Sequence, residues 1–239
     1  MGRRLRLATG ALLLALAGCG TPDRLPPAML DDACAIAAAR PDWVRAMRDV
    51  ERRWGVRMSA QMAIIHQESK FRADARTPHR FALGVLPMGR QSSALGYAQA
   101  IDSTWDWYRR DTGRRSARRT SFADSVDFMG WYMNVTHERL GIDVNDVRRQ
   151  YLAYHQGHVG YRRGSWRRKG WLRRIAADVA RRERRYAAQL KLCPAAAGAA
   201  RGSRVALGLL AKPAPAASGG VVVATPAPET PRPKPRPRR

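Results

Sequence analysis

The stretch Ile64-Ile65-His66-Gln67-Glu68-Ser69-Lys70-Phe71 places one carboxylate at the end of an apolar run. At helical spacing Ala60, Ile64 and Glu68 share a face, with Ile65 beside them. Water stabilises an ionised carboxyl group, so aliphatic neighbours that displace it raise the pKa. Glu68 is therefore the candidate general acid of the chain. Acid–base chemistry often pairs such an acid with a second carboxyl that serves as base or nucleophile. No second one stands out: Asp74 lies in a stretch that reads as loop. A lone acid suits a reaction in which the substrate itself supplies the nucleophile. His66 and His79 lack metal-ligand spacing, and no metal or cofactor is expected.

The elements that must hold Glu68 read as short helices. Residues 31–39 are alanine-rich and carry Cys34. Pro41 opens the next helix, along which Trp43, Val44, Met47, Val50 and Trp54 recur at helical spacing until Gly55. Ser59 is the expected N-cap of the helix bearing Glu68. Residues 71–96 keep neither helical nor strand period, and so long a loop within a domain is usually functional. Asp102 or Ser103 caps a helix through Trp105 and Tyr108, and residues 113–119 read as a basic, exposed run. Ser121-Phe122-Ala123-Asp124 resembles a capping box, with Asp in place of Glu, ahead of a patterned helix ending near Gly141. Two more helices are predicted over 146–155 and 171–192. With no alternating strand of useful length, the fold class is all-α or nearly so.

Composition bounds the partners. The chain has 239 residues and a formal net charge of +25, mostly arginine, which calls for a polyanion or an anionic surface. Nucleic acid, acidic lipid and a carboxylate-bearing wall polymer all meet that description. Residues 1–19 read as an export signal, with Arg3, Arg4 and Arg6 before the apolar Leu12–Leu16, too short to span a bilayer. Leu16-Ala17-Gly18-Cys19 resembles a lipobox, which implies lipidation at Cys19, a membrane anchor, and residence in the periplasm at the outer membrane, since Gly20 follows. Export argues against nucleic acid as partner. Cys34 and Cys193 flank the helical region and are expected to pair in an oxidising compartment. The chain thus divides into a signal (1–19), a tether (20–30), a helical domain (31–193) and a tail (194–239). From residue 195 on, eight basic residues accompany one Glu amid dense proline, a composition that cannot bury a core.

Three ordered pieces resemble the catalytic domain of soluble lytic transglycosylases, whose fold is related to goose-type lysozyme. Glu68-Ser69 matches the Glu-Ser at the end of that family's catalytic helix. Gly96-Tyr97-Ala98-Gln99 stands where the family has Gly-Leu-Met-Gln, followed by Thr104-Trp105. Ala153-Tyr154-His155 stands where it has Ala-Tyr-Asn. The resemblance spans about residues 43–190. It implies a lysozyme-like helical bundle with a catalytic cleft, and peptidoglycan glycan strands as substrate. It further implies that Glu68 acts as acid then base in cleaving the MurNAc–GlcNAc bond to give 1,6-anhydro-MurNAc. Gln99 and Tyr154 would hold the sugars, with Ser69, Tyr97 and His155 lining the same cleft. His155 in place of Asn alters hydrogen bonding there, and Tyr97-Ala98 alters the groove wall. A hydrolytic muramidase on the same fold, and a non-catalytic wall-binding lipoprotein, are the competing readings.

Overall fold

Trp43 shows why the first helices lie where they do. Pro41 begins α2 (Pro41–Trp54), and Gly55, in the left-handed region at φ 71°, ends it. Its apolar stripe buries Trp43, Val44, Met47 and Val50. Trp43 stacks on Phe122 with ring centroids 4.1 Å apart and on Phe71 at 5.6 Å, so one indole joins three parts of the chain. α2 crosses α5 (Phe122–Leu140) at Gly130, where an added Cβ would stand 2.6 Å from both Trp54 and Val50. The missing side chain is what lets the two backbones approach.

A computed structural model describes residues 24–82 and 86–196. Ahead of α2 lie a 3-10 turn (Pro27–Met29) and α1 (Ala33–Ala39), capped by Asp32. After it come α3 (Met58–Ser69), a hairpin of β1 (His79–Ala82) and β2 (Leu86–Arg90), α4 (Asp102–Asp111), α5, α6 (Val147–Arg162), a 3-10 turn (Ser165–Arg168) and α7 (Gly170–Lys191). α3 is buried on nearly every side, with Ala60, Met62, Ala63, Ile64 and Ile65 fully inaccessible. A helix enclosed in this way forms the middle of the bundle, and everything at its end inherits protein surroundings.

α7 closes the back of α3 with Leu172, Ala176, Val179 and Tyr186. A disulfide joins Cys34 on α1 to Cys193 beyond α7, with their Cα atoms 5.4 Å apart across 159 residues. Arg182 and Arg185 pair with Asp31, and the Tyr186 hydroxyl donates to the Leu30 carbonyl. Leu25, Met29 and Leu30 pack against the core, so the described part of the stretch read as a tether lies on the domain. The signal at 1–19 with Cys19, the remainder of that tether, and the tail from 197 on fall outside the described residues.

Several local expectations are corrected. Ser59 does not cap α3. The helix starts two residues earlier, with Arg57 at the N-cap position, where the Arg57 amide is held by Asn145 Oδ1 at 2.9 Å. Ser59 is thereby drawn inside, where it donates to buried Glu183 at 2.9 Å. α4 likewise takes Ile101, not Asp102 or Ser103, at its N-cap. The loop over 71–96 contains a two-stranded antiparallel ribbon pairing His79 with Arg90 and Phe81 with Pro87. Pro87 and Gly89 conceal it in the sequence, but both strands of a lone ribbon are edges, where a proline is tolerated. The basic run 113–119 is not simply solvated. Arg114 pairs with Asp124 and Asp127, and Arg119 clamps Ser93 and Ala100 by their carbonyls and Asp102 by its carboxylate. α6 continues past residue 155 through a bend at Gly157, φ 68° and ψ 160°, a conformation open to glycine.

Since the disulfide closes nearly the whole domain into one loop, replacing both cysteines (C34S/C193S) should cost about 2–5 kcal/mol on the chain-entropy model. Urea denaturation of the oxidised chain and of that variant measures it.

Candidate active site

A cleft of about 550 Å³ opens between the end of α3, the loop before α4, and one face of α5 and α6. Glu68, Gln99, Thr104, Phe128, Tyr132, Tyr154 and His155 are among its lining residues. Among the described residues that line it, Glu68 is the sole acid. Asp74 is exposed and paired with Arg24 and Arg72, outside the cleft.

Glu68 sits in the last turn of α3 and is partly exposed to the cleft. The backbone then turns sharply through two successive left-handed residues, Lys70 (φ 54°) and Phe71 (φ 60°). Such conformations cost non-glycine residues of order 1–3 kcal/mol and persist where packing over-determines them. Here the burial of Phe71 against Trp43 supplies the packing. Burial of the Glu68 carboxyl pushes its pKa up to about 7. The nearby Tyr151 phenol and the Lys70 ammonium, which favour the charged form, offset part of that rise. The cleft thus holds a carboxyl group that titrates near neutrality.

Tyr154 reaches across the cleft floor. Its hydroxyl donates to the Ala98 carbonyl, and its ring packs edge-on against Tyr132 with centroids 5.2 Å apart. Burial and the neighbouring Glu68 raise its pKa, so it remains a neutral phenol. Tyr151, three residues earlier on α6, shares the same helical face and is raised for the same two reasons. It went unnoticed in the sequence, although its i,i+3 relation to Tyr154 was the available signal.

Gln99 does line the cleft, but its amide is already engaged. Nε2 donates to the Ala75 and Gly96 carbonyls, both at 2.8 Å, and the residue is itself left-handed at φ 49°. It braces the wall through that amide group. Gly96, at φ 77°, lies so close to Arg119 that a Cβ there would stand 2.0 Å from the Arg119 carbonyl oxygen. The Gly-x-x-Gln spacing is thus a wall-forming turn.

Two expected cleft residues are elsewhere. Tyr97 is 5% exposed and packs edge-on against Trp43 and Phe122, as part of the core. Its large ring is drawn to the aromatic cluster because the turn at Gly96 points residue 97 inward. Ser69 is buried as well. Its hydroxyl donates to the Ile65 carbonyl and accepts from the Arg72 amide, which shapes the exit from α3. His155 does line the cleft, beside Trp171 at 5.2 Å. Burial, then the Lys169 ammonium, lower its pKa and favour the neutral ring. The basic aromatic stretch after α6 is largely self-contained, with Trp166 stacked on Tyr161 at 5.6 Å. Among the described residues no cluster of His, Cys, Asp or Glu could hold a metal ion.

A helical domain with one desolvated carboxyl over a tyrosine-lined groove has the means for acid-assisted cleavage of a glycan, and sequence comparison agrees. The family model for the transglycosylase SLT domain matches residues 7–193, and the chain belongs to that family. No curated protein and no solved structure matches. Membership gives the lysozyme-like helical fold and transglycosylase-type cleavage of peptidoglycan glycan.

The raised pKa carries a stability cost with a definite sign. An unfolded Glu ionises near 4.5 and the folded one near 7, so between these values the folded chain holds a proton that the unfolded chain has released. Stability contributed by the protonated form is present below pH 4.5 and lost as pH rises through 7. Glu68→Gln should therefore leave stability unchanged near pH 4 and raise it by about 1–3 kcal/mol at pH 8, read by denaturant titration at each pH.

Proposed function

We propose that Glu68 cleaves the bond between MurNAc and GlcNAc in peptidoglycan, acting first as acid and then as base. Its carboxyl proton passes to the glycosidic oxygen as the bond from MurNAc C1 to that oxygen breaks. The MurNAc 6-hydroxyl oxygen then bonds to C1, and its proton goes to the Glu68 carboxylate. The product is a 1,6-anhydro ring, the carboxyl is regenerated, and no water is consumed. The observation that carries this reading is a single cleft carboxyl near pKa 7 with no second acid beside it among the described residues. One group that must give and then take a proton works best near ambient pH. Tyr154 and Gln99 would hold the sugars, Tyr154 with its ring and Gln99 with its amide oxygen.

We further propose that the chain works in the periplasm, held to the outer membrane by lipid on Cys19. The arginine-led apolar start, the lipobox-like Leu16–Cys19 and the disulfide, which belongs in an oxidising compartment, support this. In a bacterial host fed labelled palmitate, the parent chain should take up label and Cys19→Ala should not.

Purified parent chain acting on sacculi should release muropeptides with anhydro-MurNAc ends by mass spectrometry, and Glu68→Gln should release about 10³-fold less or none. kcat/KM should fall about tenfold per pH unit above 7, where the free carboxyl ionises. Reducing ends instead of anhydro ends would indicate the hydrolytic muramidase. Full release by Glu68→Gln would move the acid elsewhere.

A further inference from the structure

The floor of the cleft at the bend of α6 holds a side-chain chain with an unambiguous direction. Lys169 Nζ lies 2.8 Å from Gln156 Oε1, and Gln156 Nε2 lies 2.9 Å from His155 Nδ1. An ammonium has donors and no acceptor, so the Gln156 atom it meets must be the amide oxygen. The Ser165 hydroxyl lies 2.8 Å from that oxygen and 2.9 Å from the Gly160 carbonyl, and its one proton serves one of them at a time, so the ammonium alone fixes the amide. The other end of the amide is then the NH2 group, a donor, and it meets His155 Nδ1. Nδ1 must accept, which leaves the proton of the neutral ring on Nε2. His155 and Gln156 both line the cleft. The edge of Trp171 against the imidazole, at 5.2 Å and 74°, restrains the ring from the other side.

We propose that Lys169, acting through Gln156, is a positioning residue that locks His155 as a hydrogen-bond donor toward an acceptor oxygen of the bound glycan. The substrate role rests on the function proposed above, whereas the direction of the relay rests on the donor chemistry alone. Reversal of Gln156 would set its NH2 against the Lys169 ammonium, two donors facing each other, so the lysine is what excludes the opposite tautomer. His155 thereby offers an N–H where the family pattern has the amide of an asparagine, and it selects carbonyl or hydroxyl oxygen over a donor group.

Long-range 1H–15N spectra of the full chain labelled at histidine test the relay without turnover. They are recorded well above the ordinary histidine pKa of about 6.5, and the His155 signals are assigned by their loss in His155→Asn. The expected result is a His155 ring protonated at Nε2, with the proton moved to Nδ1 in Gln156→Glu and shared between the two nitrogens in Lys169→Met. With solubilised glycan strands, Lys169→Met and His155→Ala should raise KM about 3- to 10-fold with kcat within about 2-fold, as expected for one neutral hydrogen bond. Lys169→Arg, which keeps a donor-only cation, and His155→Asn, which keeps an N–H, should stay within about 2-fold of the parent KM. A parent ring protonated at Nδ1, or a Lys169→Met chain with unchanged ring protonation and KM, would overturn the proposal. Failure of Glu68 as the acid would leave the spectra untouched and show only in Glu68→Gln.

Discussion

The desolvation of one carboxyl group governs the rest of this structure. α3 is enclosed by α2, α5 and α7, so the residue in its last turn has protein on most sides and the cleft on one. Charge on Glu68 is disfavoured there because little water reaches it, and what remains of its stabilisation comes from Tyr151 and Lys70. The surroundings that make the group costly to ionise also give it a proton near neutrality. Stability and chemistry are in tension at this atom, a usual condition of active sites.

Much of the remaining architecture holds the cleft around that group. Two left-handed residues after α3 swing Phe71 into the core and leave Glu68 at the edge of open space. Arg119 ties Ser93, Ala100 and Asp102 into the opposite wall, and Gly96 permits the close approach of that wall to Arg119. Behind α3, the disulfide and the ion pairs of α7 with Asp31 fasten the two ends of the domain together. The arginine-rich face of α7 in part serves the fold itself. A second buried carboxylate, Asp127, is fully engaged by Tyr108, Trp54 and Arg53 and stands as a strut between α2, α4 and α5.

Legibility differed by the range of the interaction. The bounds of α2, α5 and α7 followed from apolar spacing, Pro41, Gly55, Ser121 and Gly141, all of them local signals. The Ser121 hydroxyl does accept from the Asp124 amide, while the Asp124 carboxylate turns away to Arg118 and Arg114, so half of the capping box forms. Ser59 and the hairpin were misread because their partners, Glu183 and a strand masked by Pro87 and Gly89, are not encoded in local pattern. Tyr97 and Ser69 are positions of the motif pieces for which the family resemblance implies a place in the cleft. Successive residues at a turn or helix end face different ways, and these two face inward.

By itself the sequence determined a helical domain, an apolar helix ending in Glu68, the order of the three motif pieces and the availability of two cysteines. Periodicity and residue type encode such properties within a few turns of chain. Only the tertiary structure decided that Glu68 meets Tyr151 and Tyr154, that Gln99 spends its amide on Ala75 and Gly96, and that Lys169 orders Gln156 and His155. These depend on how helices far apart in sequence cross and on which donor is left opposite which acceptor, and a one-dimensional pattern carries no record of either.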